Sequence, residues 1–206
     1  MSLSGTAPTC DGCDREISGP VHRTGLDRLC APCHQQHLAD HAPADADEIA
    51  AAHIASWRAA YAHIFPSTIF DDPEFDESRY AMWRAWSRSP TADGRLIVAV
   101  AGDRTVGFAH TGHAEPAATG QRWGELYAFY THPDAWGSGA ANALMAAALD
   151  HLASLGHGRA ILWTFSDAHR ARRFYEKTGW EPTGEVDIWS HYPEAPAPSV
   201  EYEHAL

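Results

Sequence analysis

Four cysteines in two close pairs are the residues of this 206-residue chain whose spacing points most directly to chemistry. They are Cys10 and Cys13, then Cys30 and Cys33, each pair with two residues between its members. Two such CxxC turns are typical of a tetrahedral four-thiolate zinc site, because each turn supplies two sulfurs. The alternatives are two disulfides, or four reduced thiols without metal. Four protein ligands leave no open position on the metal, so we expect the Zn2+ to be structural rather than catalytic.

A small N-terminal unit would follow from that metal site. A segment of about forty residues buries too little apolar surface to fold alone, and metal binding supplies the missing stabilisation. We therefore predict a zinc-binding module at residues 1–40, a linker at 41–47 and a larger domain at 48–206. The sequence leaves the role of the module open between binding a partner, covering a substrate pocket and bracing a homodimer.

A run of small residues between a predicted strand and a predicted helix is the second chemical feature. It reads Trp136-Gly137-Ser138-Gly139-Ala140-Ala141. Small side chains let backbone N–H groups approach an anion closely, and a helix N-terminus adds about half a positive charge. The run therefore predicts a pyrophosphate site, and an ordinary tight turn before a helix is the alternative.

The segments around this run resemble one protein family. ELYAFYTHPDAWGSGAANALMAAALDHL, the strand ILWTF and then ARRFYEKTGWEPTGE are similar to the GNAT superfamily of N-acetyltransferases, and the resemblance extends from about Ile49 to Leu206. It implies a mixed, mostly antiparallel sheet flanked by helices, and acetyl-CoA as the co-substrate. The family's turn pattern, Gln/Arg-x-x-Gly-x-Gly/Ala, corresponds here to Trp136, Gly139 and Ala141. Trp replaces the usual polar first residue.

The resemblance also assigns contacts to coenzyme A. It implies that backbone amides of residues 138–141 hold the pyrophosphate and that the strand at 129–131 pairs with the pantetheine arm. A bulge in that strand would splay it from its neighbour and open a cleft, since bulges bend strands. Relatives often carry Asn at the position of Ala168, so that contact is in question here. The predicted cofactor-binding residues are Phe129, Tyr130, Thr131, Trp136, Gly137, Ser138, Gly139, Ala140, Ala141 and Ala168.

Acetyl transfer from a thioester to an amine needs an uncharged amine, a stabilised oxyanion and a proton for the leaving thiolate. The resemblance implies that Tyr175 is the proton donor. An ordinary tyrosine pKa of about 10 would keep its hydroxyl protonated at neutral pH. The alternative for Tyr175 is an amphipathic core tyrosine. Phe174, one position earlier, is expected to face the core.

Glu125, at the start of the strand before the small-residue run, is the best candidate for the general base. Partial burial would raise the pKa of its carboxyl and let it accept a proton directly or through water. The alternative is a solvent-facing charge on an edge strand. His110, His113 and His132 are rival bases.

The acceptor is the least determined part of the prediction. We expect an aromatic pocket for a small primary amine. Its lining would come from Tyr127, Tyr61, Trp189, His191 and Tyr192, although such residues are also typical of a core. A protein lysine or N-terminus as acceptor, and a non-catalytic acyl-CoA-sensing protein, are the alternatives.

Charge and hydropathy exclude other functions. The formal net charge of -12 argues against nucleic-acid binding, because a polyanion would be repelled. No stretch approaches the ~20 apolar residues of a membrane span, and the N-terminus lacks a signal core. We therefore expect a soluble, cytoplasmic protein without membrane partners.

The elements that position these residues follow from hydrophobic periodicity. Helices are predicted from residue 48 to Pro66, from about Asp76 to Pro90, from the small-residue run to Gly156, and over 168–178. Strands are predicted at 96–101, 106–111, 125–131, 160–165, 180–186 and 200–205. This order predicts an α/β protein in which helices cover a mixed sheet.

Overall fold

A six-stranded sheet flanked by helices dominates the computed structural model, which describes residues 22–24, 27–29, 46–88, 94–101, 104–114 and 123–206. The strands are β1 His22–Thr24, β2 Asp27–Leu29, β3 Arg95–Ala101, β4 Arg104–His113, β5 Gly124–Thr131, β6 Arg159–Phe165, β7 Glu181–Trp189 and β8 Ala197–Ala205. The helices are α1 Ala46–Tyr61, α2 Ser67–Asp71, α3 Pro73–Arg88, α4 Ala140–Ser154 and α5 His169–Lys177, with a short 3-10 helix at Pro133–Ala135. The main sheet has the order β3-β4-β5-β6-β8-β7, and β1 pairs with β2 separately.

The predicted α/β fold with a mixed sheet and flanking helices is confirmed, and two of its elements differ from the prediction in informative ways. Helix α2 was not predicted, because five residues are too few to show helical periodicity. Strand β7 continues to Trp189, beyond the predicted end at residue 186. Eight of its nine residues are exposed, so no burial against the core marks where this edge strand ends.

The parallel neighbours β5 and β6 separate soon after they start. They pair at Gly124 with Ala160 and at Glu125 with Ile161, which are the first residues of each strand or next to them. On the other side of β5, the register with β4 shifts so that Tyr127 is an extra residue. The predicted bulge is therefore present, but it lies at Tyr127 rather than within 129–131. Because a bulge bends its strand, β5 turns away from β6 and a V-shaped opening follows.

Two clusters of buried side chains hold these elements together. The larger lies between the sheet and helices α1 and α4, where Phe108 and Leu152 have no exposed surface. The second, here called the aromatic cluster, joins helices α1 to α3 with the end of β6 and the β7–β8 connection. Its members are Trp57, Tyr61, Phe65, Phe70, Phe75, Phe165, Trp189 and Tyr192. The two clusters meet at Tyr130, which packs against both.

The predicted zinc ligands Cys10, Cys13, Cys30 and Cys33 lie outside the described residues, and so does most of the predicted module at 1–40. The module, the linker at 41–47 and the domain at 48–206 therefore stay predictions, although α1 begins at Ala46, inside the predicted linker. Among the described side chains, no group of three or more His, Cys, Asp or Glu is placed to hold a metal ion. None of the helices in the described ranges has the length and apolar character of a membrane span.

Candidate active site

A groove of about 510 Å³ opens between the end of β5, the loop that follows it and helix α5. Eight of the residues predicted from the sequence to bind the cofactor or act in catalysis line it. They are Phe129, Tyr130, Thr131, Trp136, Gly137, Gly139, Ala141 and Tyr175. The groove therefore unites the strand, the small-residue run and the tyrosine that are far apart in sequence.

The loop between β5 and α4 is built by local hydrogen bonds. His132 caps the 3-10 helix by accepting from the backbone N–H of Asp134 at 3.2 Å. The indole N–H of Trp136 donates to the carbonyl of Thr131 at 3.1 Å, which anchors the loop to the strand. Gly137 and Gly139 have φ angles of 83° and 96°, which side-chain-bearing residues rarely adopt. The glycines therefore allow the loop to turn its backbone into the groove.

Four backbone N–H groups in this loop and the first turn of α4 have no protein acceptor among the described residues. They belong to Gly137, Gly139, Ala141 and Asn142. Two predicted pyrophosphate donors are already used: the N–H of Ser138 donates to the carbonyl of Ala135, and that of Ala140 to Ser138 Oγ. The set of available donors thus differs from the predicted 138–141, but it still lies at a helix N-terminus, an arrangement that is able to bind an anion.

Three cationic side chains line the opposite wall, and the sequence reasoning missed them. Arg170, Arg173 and Lys177 all lie on helix α5 and border the groove. The guanidinium of Arg170 lies 3.9 Å from the ring centroid of Trp136, so the unusual Trp of the turn supports a cation. The signal for this wall was present in the sequence, because spacings of three and four residues place side chains on one helix face.

Tyr175 lies in the groove wall and is 6% exposed. Burial raises the pKa of its hydroxyl, and the neighbouring Tyr130 raises it further. The hydroxyl therefore stays protonated across the physiological range, as a proton donor must. Phe174 packs against the core as predicted, and it also borders the groove. Its half-buried ring stacks on Phe129 at 5.5 Å and lines the groove.

Glu125 lies at the closed end of the V, where β5 pairs with β6. It is half-buried, has a partner within the protein, and stands four residues before Phe129. Four residues of extended strand span about 13 Å, so Glu125 would reach an amine near Phe129 only through a chain of several water molecules. Its role as base stays a prediction.

The rival histidines have other surroundings. His110 packs on Trp86 at 4.7 Å, and burial lowers the pKa of its imidazole to about 4. His132 caps the 3-10 helix at the cofactor side of the loop. His113 and His157 hydrogen-bond each other through ring nitrogens 2.6 Å apart. None of the three rivals is among the residues that line the described groove.

The three predicted acceptor residues fall in two places. Tyr61 and Trp189 belong to the aromatic cluster and both contact Phe165, at 5.1 and 5.3 Å between ring centroids. Tyr127 is 44% exposed, donates its hydroxyl to the carbonyl of His113 and packs beside His110. As the bulged residue of β5, Tyr127 is directed away from Tyr61 and Trp189, so a single pocket does not include all three.

Ala168 is also placed away from the groove. It is 4% exposed at the N-cap of α5, and its N–H donates to the carbonyl of Phe165 at 3.0 Å. The methyl group packs in the aromatic cluster. No contact of Ala168 with a ligand in the groove is therefore expected.

Comparison with known proteins identifies relatives of this architecture. Residues 54–180 match the family model described as "Acetyltransferase (GNAT) family". The mycothiol acetyltransferase of Saccharomonospora viridis is 38% identical over 101 residues, which cover 47% of this chain and 32% of the relative. That of Kocuria rhizophila is 35% identical over 79 residues, which cover 38% and 26%. The chain thus spans a third or less of the length of these curated relatives.

Solved structures share the fold at low sequence identity. The PaiA N-acetyltransferase of Thermoplasma acidophilum, in complex with coenzyme A, superimposes with a TM-score of 0.60 at 16% identity, over 80% of this chain and 95% of that one. YncA of Salmonella typhimurium, with acetyl-CoA, gives 0.58 at 17% identity, over 82% and 91%. The family match covers more than half of the chain and includes β5, the glycine-bearing loop and Tyr175. The chain belongs to the GNAT acetyltransferase family.

Proposed function

We propose that this protein is an acetyl-CoA-dependent N-acetyltransferase that moves an acetyl group directly onto a primary amine of a small molecule. The observation that carries the proposal is the groove itself. It brings four available backbone N–H groups and three cations together with the buried Tyr175. Groups suited to phosphate recognition and a group suited to proton donation therefore line one groove, which supports acyl transfer from coenzyme A.

The residues present suit coenzyme A. The N–H groups of Gly137, Gly139, Ala141 and Asn142 would hold the pyrophosphate, with Arg170 and Arg173 supplying positive charge. Such local charge matters in a chain whose formal net charge is -12, because the overall field repels anions. The main chain of β5 near Phe129, which faces the V, would accompany the pantetheine arm.

The bound thioester would supply an activated acetyl group, and the chain would supply orientation and proton transfer. Tyr175 gives its hydroxyl proton to the departing sulfur. A backbone N–H near Phe129 to Thr131 stabilises the negative charge that develops on the carbonyl oxygen. Glu125, through water, accepts the proton that the amine loses. Direct transfer without a cysteine acyl-enzyme is favoured because the proposed zinc site would engage all four cysteines of the chain.

A small-molecule acceptor is supported by the two curated relatives, both named mycothiol acetyltransferases. The aromatic cluster packs against Tyr130, which lines the groove, so the acceptor would bind next to this cluster. A protein acceptor would need a surface cleft for an extended chain.

The test of this proposal separates binding from turnover. Titration calorimetry with acetyl-CoA is expected to give a dissociation constant in the micromolar range, as is usual for enzyme substrates. A free-thiol assay over a panel of primary amines is then expected to reveal at least one acceptor. Failure to bind acetyl-CoA at millimolar concentration would remove the proposal. Binding without thiol release for any amine would leave an acyl-CoA sensor.

A structural zinc site formed by Cys10, Cys13, Cys30 and Cys33 is proposed on the spacing of these residues. Protein purified without chelator is expected to contain about one zinc per chain by elemental analysis, and Cys10→Ser with Cys13→Ser to contain almost none. Because all four ligands come from the protein, removing the metal should alter the stability of the module and spare acetyl-CoA binding. A zinc content near zero in the wild type would contradict the site.

A further inference from the structure

Arg79 is a buried cation in the middle of the aromatic cluster. The residue is 7% exposed, and its guanidinium lies 3.5 Å from the ring centroid of Phe75 and 4.6 Å from that of Trp57. No carboxylate forms an ion pair with it among the described residues. A buried charge without an opposite charge is costly, so a residue of this kind needs a reason to be kept.

One edge of this guanidinium is hydrogen-bonded, and the other edge is buried almost without hydrogen-bond partners. Nη1 donates to the carbonyl of Phe75 at 2.7 Å, one helical turn earlier. Nε is buried without a hydrogen-bond partner, and Nη2 reaches the hydroxyl of Tyr192 at 3.5 Å, the limit of a hydrogen bond. Nε and Nη2 form the fork that pairs with both oxygens of a carboxylate. The unfilled edge is therefore the one suited to a carboxylate.

The position of Arg79 connects it to the groove through Tyr130. Tyr130 lines the groove and packs in the aromatic cluster. The charge of Arg79 acts on the hydroxyl of Tyr130, since it opposes the rise in the pKa of that group caused by burial. It also adds to the effect of burial in lowering the pKa of His53 to about 3. Tyr130 is therefore an electrostatic neighbour of both Arg79 and Tyr175.

The β7–β8 connection, residues 190–196, borders this edge of Arg79 and has no regular structure. Tyr192 in this connection is half-buried and supplies the long contact to Nη2. A ligand oxygen that replaces the Tyr192 hydroxyl would gain both Nη2 and the unpartnered Nε.

We infer that the acceptor is a primary amine that also carries a carboxylate, as an amino acid does, and that the Nε and Nη2 edge of Arg79 binds this carboxylate. This inference rests on the proposed function, because it names the class of molecule that receives the acetyl group. Aromatic rings alone would suit a purely cationic amine, but two of these rings already face the Arg79 guanidinium. A second cation there would be repelled, whereas a carboxylate neutralises the buried charge.

The test compares each common amino acid that carries a primary amine and no thiol with its carboxamide in the free-thiol assay at saturating acetyl-CoA. For at least one amino acid, kcat/KM is expected to exceed that of the amide about thirtyfold or more. R79M is expected to lower kcat/KM for that amino acid about thirtyfold or more, and to leave the amide within about threefold. Arg84, which lies on the same helix and pairs with Asp47 at 2.6 Å, provides the control R84M, which should change neither.

Measurements of melting temperature and of acetyl-CoA binding distinguish a misfolded variant from one that has lost only the carboxylate site. R79M is expected to have a melting temperature equal to or above that of the wild type, because an apolar side chain replaces an unpaired buried charge. R79K, which keeps the charge but not the fork, should show the same selective loss if R79M misfolds. An amino acid is also expected to raise the melting temperature of the wild type but not of R79M, without any turnover.

Two results would overturn the inference. One is equal acetylation of amino acids and amides. The other is a loss in R79M that affects both equally. If acetyl-CoA binds normally in either case, the proposed acetyltransfer survives and only the carboxylate site is lost. If acetyl-CoA does not bind the wild type at all, the proposed function fails, and the melting-temperature shifts alone decide whether Arg79 binds carboxylates.

Discussion

Tyr175→Phe is expected to lower kcat about a thousandfold while it leaves the dissociation constant for acetyl-CoA within about twofold. The substitution removes one hydroxyl from a side chain that is 6% exposed and keeps the ring that packs against Phe129. Only the proton for the departing sulfur is lost, and that proton matters in the transition state rather than in the ground state. Calorimetry gives the binding constant, and thiol release under saturating substrate gives kcat.

Tyr202→Phe is the matched control. Its ring is fully buried beside that of Tyr175, and its hydroxyl accepts from Arg172 and donates to Glu176, each at 2.9 Å. Losing that hydroxyl should cost about 1–2 kcal/mol of unfolding free energy and little turnover. Equal kcat values for Tyr175→Phe and the wild type at every pH would assign the donor role elsewhere.

The pH dependence of the wild type follows from the same tyrosine. Burial, reinforced by Tyr130, raises the pKa of Tyr175 above its ordinary value of 10.0. Because the protonated form is the active one and the shift extends its range upward, kcat should show no loss of the donor up to about pH 10. At low pH kcat should still fall, because both the amine and the general base must be deprotonated for the reaction.

The features that the sequence predicted best depend on short stretches of neighbouring residues. The glycine positions at 137 and 139 follow from the turn itself, since small residues there are needed by the backbone and not by distant partners. The predicted role of Tyr175 likewise depends on a motif within a single helix. Its neighbour Phe174 packs against the core as predicted, but the sequence did not show that Phe174 also lines the groove beside Tyr175.

Features that depend on tertiary contacts could not be predicted from local sequence signals. Tyr127 was grouped with Tyr61 and Trp189 by residue type, but the bulge in β5 sends it toward His113 instead. Arg79 reads in the sequence as an ordinary helix cation. Its burial is visible only once α1, α3 and the β7–β8 connection are brought together. The donor set of the loop also changed, because Ser138 uses its own N–H to hold the turn.

Gly139→Val is expected to raise the dissociation constant for acetyl-CoA about a hundredfold, the second large effect that the structure predicts. Gly139 has a φ of 96°, and a Cβ built on it meets nothing within 4 Å, so the new side chain would stand in the space of the groove. The backbone would also relax toward negative φ, since β-branched residues tolerate this region poorly. Both changes displace the N–H groups that would hold the pyrophosphate.

Gly156→Val separates the local strain from the loss of binding. Gly156 has a φ of 81° at the end of α4, and a Cβ there also meets nothing within 4 Å, but the residue is remote in sequence from the loop that borders the groove. Both variants should lose about 1–3 kcal/mol of unfolding free energy to backbone strain. Only Gly139→Val should weaken acetyl-CoA binding in calorimetry, because only Gly139 belongs to the loop between β5 and α4. Equal binding constants in the two variants would mean that the pyrophosphate is held by the cations of α5 alone.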